Sequence, residues 1–172
     1  MSLFPGDIEE QARKIVVDFT ARGLMVATAE SCTGGLIAGA LTEISGSSAV
    51  VDRGFVTYTN EAKVDMLGVT QATLLAYGAV SKETALQMVH GALFRSRASV
   101  AVAVTGIAGP SGGTSEKPVG LVHLAAQSRS GTILHREMRY GDISRTEIRL
   151  ATVRTALEML VEAAFGMKKG QA

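Results

Sequence analysis

Residues 99–105 read Ser-Val-Ala-Val-Ala-Val-Thr, an uncharged run with apolar side chains on both sides of an extended backbone. Successive side chains of a strand point to opposite faces, so this one needs apolar cover above and below. Strands of that kind lie in the middle of a sheet held between two layers. The chain is therefore expected to be an α/β protein. Helical periodicity elsewhere supplies the layers. Ile8, Ala12, Ile15, Val16 and Phe19 form one apolar stripe, and Gly23 stands where that helix should stop. Residues 25–29 form a short apolar strand. A second helix is expected from Gly34, carrying Leu36, Ile37, Ala40, Leu41 and Ile44.

Residues 50–58 are rich in β-branched and aromatic types and predict a strand. Helical segments follow at 61–67 and 71–76. Ser81 then caps a helix with Ala85, Met88, Val89, Ala92 and Leu93 on one face. Strands at 119–126 and 132–140 flank a Ser-Arg-Ser-Gly turn ending at Gly131, which is short enough for a hairpin. His135, Arg136, Glu137 and Arg139 place the second of these near an edge. The closing helix starts near Asp142 or Ser144, where Ser144 and Glu147 have capping-box spacing. Its stripe is Leu150, Val153, Leu157, Leu160, Val161 and Ala164. The expected fold is a three-layer α/β/α sandwich with a mixed, mostly parallel central sheet, built as a single domain over residues 1–172.

Composition narrows the function classes. Basic and acidic residues nearly balance, 17 against 16, and the only basic pair that stands out is Lys168-Lys169 at the tail. A nucleic-acid partner would call for a gathered basic footprint, so none is expected. No apolar run is long enough to span a bilayer, and residues 1–10 lack the marks of a signal peptide, so a cytoplasmic protein is expected. The single cysteine, Cys32, allows no internal disulfide. His90, His123 and His135 are scattered and no Cys pair exists, so no metal and no cofactor are expected.

Four segments are too polar and glycine-rich for their surroundings. Thr28-Ala29-Glu30-Ser31-Cys32-Thr33-Gly34-Gly35 leaves a strand and enters a helix, where unpaired N–H groups suit a phosphate or a developing oxyanion. Ser31 there is placed for attack, although Ser31 or Thr33 could equally be a helix cap. The motif is not a nucleophile elbow, because Ala29 stands where glycine is required. Cys32 is a rival nucleophile. Ser45-Gly46-Ser47-Ser48 is a loop, and Tyr58-Thr59-Asn60-Glu61-Ala62-Lys63 leaves a strand for a helix. Lys63 could act as a general base if burial lowered its pKa, or could be a solvated helix residue. Finally Thr105-Gly106-Ile107-Ala108-Gly109-Pro110-Ser111-Gly112-Gly113, continuing to Lys117-Pro118-Val119-Gly120, follows the most buried strand, where open α/β sheets bind ligands.

Taken together and in this order, these four motifs resemble the CinA C-terminal domain family over nearly the whole chain. The resemblance implies hydrolysis of the carboxamide of nicotinamide mononucleotide, giving nicotinate mononucleotide and ammonia, by a serine/lysine mechanism without metal. It further implies Ser31 as nucleophile, Lys63 as general base, Tyr58 as its hydrogen-bonding helper and an arginine after the last strand. Family members commonly show Gly-Asp-Arg there, whereas here Gly141-Asp142 is followed by Ile143-Ser144 before Arg145. Arg145 is the better match and Arg149 the alternative. Substrate-binding roles are expected for Glu30, Thr33, Gly34, Gly35, Ser48, Asn60, Thr105, Gly106, Gly109, Gly112 and Gly113. The expected partner is that small-molecule substrate, together with a second copy of the chain, since small enzymes often pair as dimers. A non-catalytic mononucleotide-binding module is the competing reading.

Overall fold

The computed structural model describes residues 1–166, so Lys168-Lys169 lies outside the described residues. Strands β1 (Val26–Glu30), β2 (Val51–Val56), β3 (Val100–Gly106), β4 (Leu121–Ser128) and β5 (Ile133–Arg139) form one sheet in the order β2-β1-β3-β4-β5. β1 pairs in parallel with both β2 and β3, while β3–β4 and β4–β5 are antiparallel. Four strands therefore point one way and β4 alone opposes them. The sheet is mixed with a parallel centre, β3 is its middle strand and β5 an edge, as the patterns predict.

Helices cover both faces. α1 (Gly6–Arg22), α2 (Leu36–Thr42) and α6 (Arg145–Phe165) lie on one side, and α5 (Lys82–Phe94) lies on the other, with α3 (Asn60–Leu67) and α4 (Gln71–Tyr77) beside it. The alternation in β3 decides how each layer sits. Val100, Val102 and Val104 face the α1/α6 layer, while Ala101 and Ala103 face α5. Ala27, Ala29 and Ala125 extend the small-residue face across the neighbouring strands. Single methyl groups bring α5 close to the sheet, whereas the valines hold α6 further off. Each fully buried valine contributes about 1.5–2 kcal/mol through burial alone.

Local signals fix the element ends. Gly23 adopts φ 66° and its N–H closes α1 on the carbonyls of Phe19 and Thr20. Ser81 and Ser144 cap α5 and α6 by accepting the N–H of Thr84 and Glu147. α2 begins at Leu36 rather than Gly34, because Gly34 and Gly35 both take positive φ (60° and 104°) in the turn before it. Strand ends move by one or two residues from those expected. Val161 is exposed, contrary to the expected stripe, while Met159 and Ala163 are buried. α6 packs on the sheet and on α1 together, so its buried arc is wide and its centre is rotated away from Val161.

One close approach seats the helix that carries Lys63. A Cβ placed on Gly91 of α5 would lie 1.9 Å from the carbonyl oxygen of Leu67, the last residue of α3. The missing side chain is what seats α3 against α5. Gly91→Ala is expected to lower stability by about 3 kcal/mol through overpacking, read as a drop in the urea midpoint with an unchanged slope.

Candidate active site

The parallel strands end at a crevice between β1 and β3, the point at which successive strands leave in opposite directions across the sheet. A cleft of about 230 Å³ opens there. Ser31, the first residue after β1, sits in it with its N–H donating to the Val104 carbonyl at 3.1 Å. The turn after it is tight, since the Gly34 N–H returns to the Ser31 carbonyl at 3.0 Å.

Glu30 explains why that turn is stable. It is 1% exposed, yet its carboxylate is fully occupied. It accepts the Thr33 hydroxyl at 2.6 Å, the Thr28 hydroxyl at 3.2 Å, and the N–H groups of Ile37 and Ala38 at 2.8 and 3.1 Å. The last two are orphan donors at the start of α2, where a negative charge also meets the positive end of the helix dipole. Glu30 and Thr33, expected to touch substrate, are therefore turned inward as partners of one another. Gly34 and Gly35 supply the left-handed conformations of the turn.

Lys63 reaches the same point from α3. It is 1% exposed, and its Nζ lies 3.1 Å from Ser31 Oγ, 2.9 Å from the Thr57 carbonyl oxygen and 3.4 Å from that of Tyr58. Removal from water disfavours the ammonium form, so burial pulls the Lys63 pKa below the usual lysine value. The helix that carries it is capped by Thr59, whose hydroxyl accepts the Ala62 N–H at 3.0 Å.

Tyr58 meets Lys63 only through its backbone carbonyl. Its hydroxyl instead accepts from the Arg145 guanidinium at 3.1 Å, and Arg145 also donates to the Gly109 carbonyl at 2.7 Å. Arg145 thus ties the first turn of α6 to the loop after β3 and to the loop after β2. Close backbone contact makes this possible, because a Cβ on Gly120 would fall 2.4 Å from the Gly141 carbonyl oxygen. Ile143 and Ser144 lead into α6, and Arg145, its first residue, lines the cleft. Arg149 turns to the other side, towards the carbonyls of Cys32 and Thr33.

The remaining expectations divide. Asn60, Thr105 and Gly106 line the cleft with Ser31, Tyr58, Lys63 and Arg145. Thr105 donates its hydroxyl to the Ala79 carbonyl at 2.8 Å, and this brings Ala79 and Val80 into the wall. That pair went unread in the sequence, where the segment showed only the Ser81 cap. Gly109 joins through its carbonyl, whereas Gly112 and Gly113 lie on the exposed arm of the loop. A Cβ on Gly109 or Gly113 would strike Val119, so these glycines fold the loop on itself. Ser48 is a correction. It is exposed on a single 3-10 turn (Ser47–Ala49) leading into β2, at the end of the strands opposite this chain's cleft.

Cys32 lines the cleft, but burial pushes its thiol up to about 12, which leaves almost no thiolate near neutrality. His123 and His135 contact each other across β4 and β5 at 3.0 Å and do not line the cleft, and His90 is on the surface.

With the geometry in place, comparison with known proteins gives the family. A family model described as the CinA C-terminal domain matches residues 8–164. The chain belongs to the CinA C-terminal domain family. Among relatives of this CinA domain, the nicotinamide-nucleotide amidohydrolase PncC of Escherichia coli K12 is 51% identical over 141 residues, covering 81% of this chain and 84% of that protein. A PncC from Enterobacter agglomerans is 45% identical over 158 residues, covering 90% of this chain and 96% of its own length. Longer relatives exist as well, and the chain spans only 36% of one from Acetivibrio thermocellus. The crystal structure of the competence/damage inducible protein CihA from Agrobacterium tumefaciens superposes with a TM-score of 0.94 at 78% identity, covering 95% of this chain and 99% of that one.

Glu30→Gln replaces one accepting oxygen with a donor facing other donors. The change is expected to cost about 2–3 kcal/mol of stability and to loosen the start of α2, measurable by urea denaturation and by faster amide exchange at Ile37 and Ala38.

Proposed function

We propose that this chain hydrolyses the carboxamide of nicotinamide mononucleotide, with Ser31 as nucleophile and Lys63 as general base. The observation that carries the reading is the 3.1 Å separation of Ser31 Oγ and the buried Lys63 Nζ at the floor of the cleft. A neutral amine has two N–H groups and one lone pair. The Thr57 and Tyr58 carbonyls take the two N–H groups, which leaves the lone pair for the Ser31 hydroxyl. The choice of substrate follows the PncC relatives, which are named nicotinamide-nucleotide amidohydrolases.

The steps balance without a metal. Ser31 Oγ attacks the carboxamide carbon while its proton passes to Lys63 Nζ. The C–N bond then breaks, and the leaving nitrogen takes that proton from Lys63 and departs as ammonia. A water attacks the resulting ester, giving its proton to Lys63, and Ser31 Oγ leaves with that proton. The net change is amide plus water to acid plus ammonia. Arg145 and Tyr58 stand at the cleft mouth, where a cation and a phenol suit the polar parts of a nucleotide. The same reading has the enzyme acting in the cytoplasm as a single-domain homodimer.

Ammonia release from nicotinamide mononucleotide with chelator present tests the reading. Wild type should turn over, Ser31→Ala should lose at least about 1,000-fold, and Cys32→Ala should stay within about tenfold of wild type. Loss in Cys32→Ala alone would move the nucleophile to the thiol, and no turnover at all would favour a binding module. The pH profile gives an independent check. Lys63 works only as the neutral amine, so kcat should fall as pH drops through its lowered pKa and level off below the 10.5 of an ordinary lysine.

A further inference from the structure

Helix α6 presents a second arginine four residues after Arg145, and nothing in the steps above uses it. Arg149 is half-buried behind the nucleophile turn. Its Nε donates to the Cys32 carbonyl at 3.1 Å, and its Nη2 donates to the Thr33 carbonyl at 3.2 Å. Two successive peptide groups are thus held by one planar fork, from a residue 116 and 117 positions away in the chain.

A peptide unit is planar and trans, so fixing its oxygen on one side fixes the following N–H on the other. The hold on Cys32 aims the Thr33 N–H away from Arg149. The hold on Thr33 likewise fixes the Gly34 N–H, which donates to the Ser31 carbonyl at 3.0 Å. Rotation of the Thr33–Gly34 plane would break that bond and free the Ser31 backbone, and rotation of the Cys32–Thr33 plane would twist the turn between them. Glu30 secures the same turn from the side of α2, but it contacts the Thr33 hydroxyl and not the two carbonyls. The guanidinium charge is also felt inside the turn, where it acts to lower the Cys32 thiol pKa against the larger effect of burial.

We infer that Arg149 is a positioning residue for the nucleophile: it locks the two peptide planes after Ser31 and so fixes the aim of Ser31 Oγ at the reacting carbon. The inference rests on the amidohydrolase reading for its substrate, though not for its geometry. Arg145 faces the ligand side of the cleft, and Arg149 holds the turn from behind.

Two readouts test it in the full-length protein: ammonia release from nicotinamide mononucleotide, and the rate at which a fluorophosphonate labels Ser31, with Ser31→Ala as the blank. Arg149→Met should lower both kcat and the labelling rate by about 100-fold, as expected for a reacting group displaced by about 1 Å, while KM stays within about twofold. Arg149→Lys, which retains one of the two bonds, should recover part of the rate. Methylguanidine should restore part of the rate of Arg149→Ala, which a purely structural role would not allow. Wild-type rates in Arg149→Met would overturn the inference. So would a loss that tracks the thermal midpoint and that neither lysine nor methylguanidine repairs. Should wild type label but release no ammonia, slow labelling of Arg149→Met would uphold Arg149 while the choice of substrate falls. A wild type that neither labels nor turns over would overturn both.

Discussion

Burial of the Lys63 amine is the constraint to which the rest of the cleft answers. An ammonium group in that position loses much of its hydration and gains only carbonyl and hydroxyl dipoles in return, so burial lowers its pKa from that of an ordinary lysine. That burial has a structural requirement. α3 must dock deeply enough to keep its fourth residue out of water, and Gly91 permits the approach. The turn after β1 must hold a hydroxyl within reach of the lone pair, and Glu30 holds that turn by joining it to the first N–H groups of α2. A carboxylate and an amine, each 1% exposed and close in the chain's fold, thus have separate tasks. One organises the backbone and the other faces the Ser31 hydroxyl.

The layered fold was legible because its signals are local and periodic. Val-Ala alternation in residues 100–104 announces a central strand, glycine at 23 ends a helix, and serines at 81 and 144 begin two more. Ser31, Lys63 and Arg145 could be named because they sit in recognisable motifs at strand ends. What the sequence hid is direction. Nothing in a run of letters tells that Glu30 and Thr33 bond each other, or that the hydroxyl of Tyr58 turns to Arg145 while its carbonyl turns to Lys63. Ser48 was misplaced for a related reason. A polar loop between a helix and a parallel strand lies at the far end of the sheet from the strand's own carboxyl end, a consequence of topology rather than of residue type.

Helix α6 draws these parts into one body. Arg145 and Arg149 are four residues apart, so they project from adjacent turns of the same face while contacting different loops. The helix is anchored on the valine face of the sheet and on α1. A displacement of its first two turns would be felt by the turn after Ser31, by the Tyr58 loop and by the glycine loop together.

The valine and alanine faces of β3 also pass a change in the core to different parts of the cleft. A methylene added on the valine face presses on α6, and the shift reaches the loops that Arg145 and Arg149 hold. The same methylene on the alanine face lifts α5, and with it the α3 seat at Gly91, and the lysine amine then moves with the backbone. The smallest side chains in the core are the ones that set the depth of the buried amine.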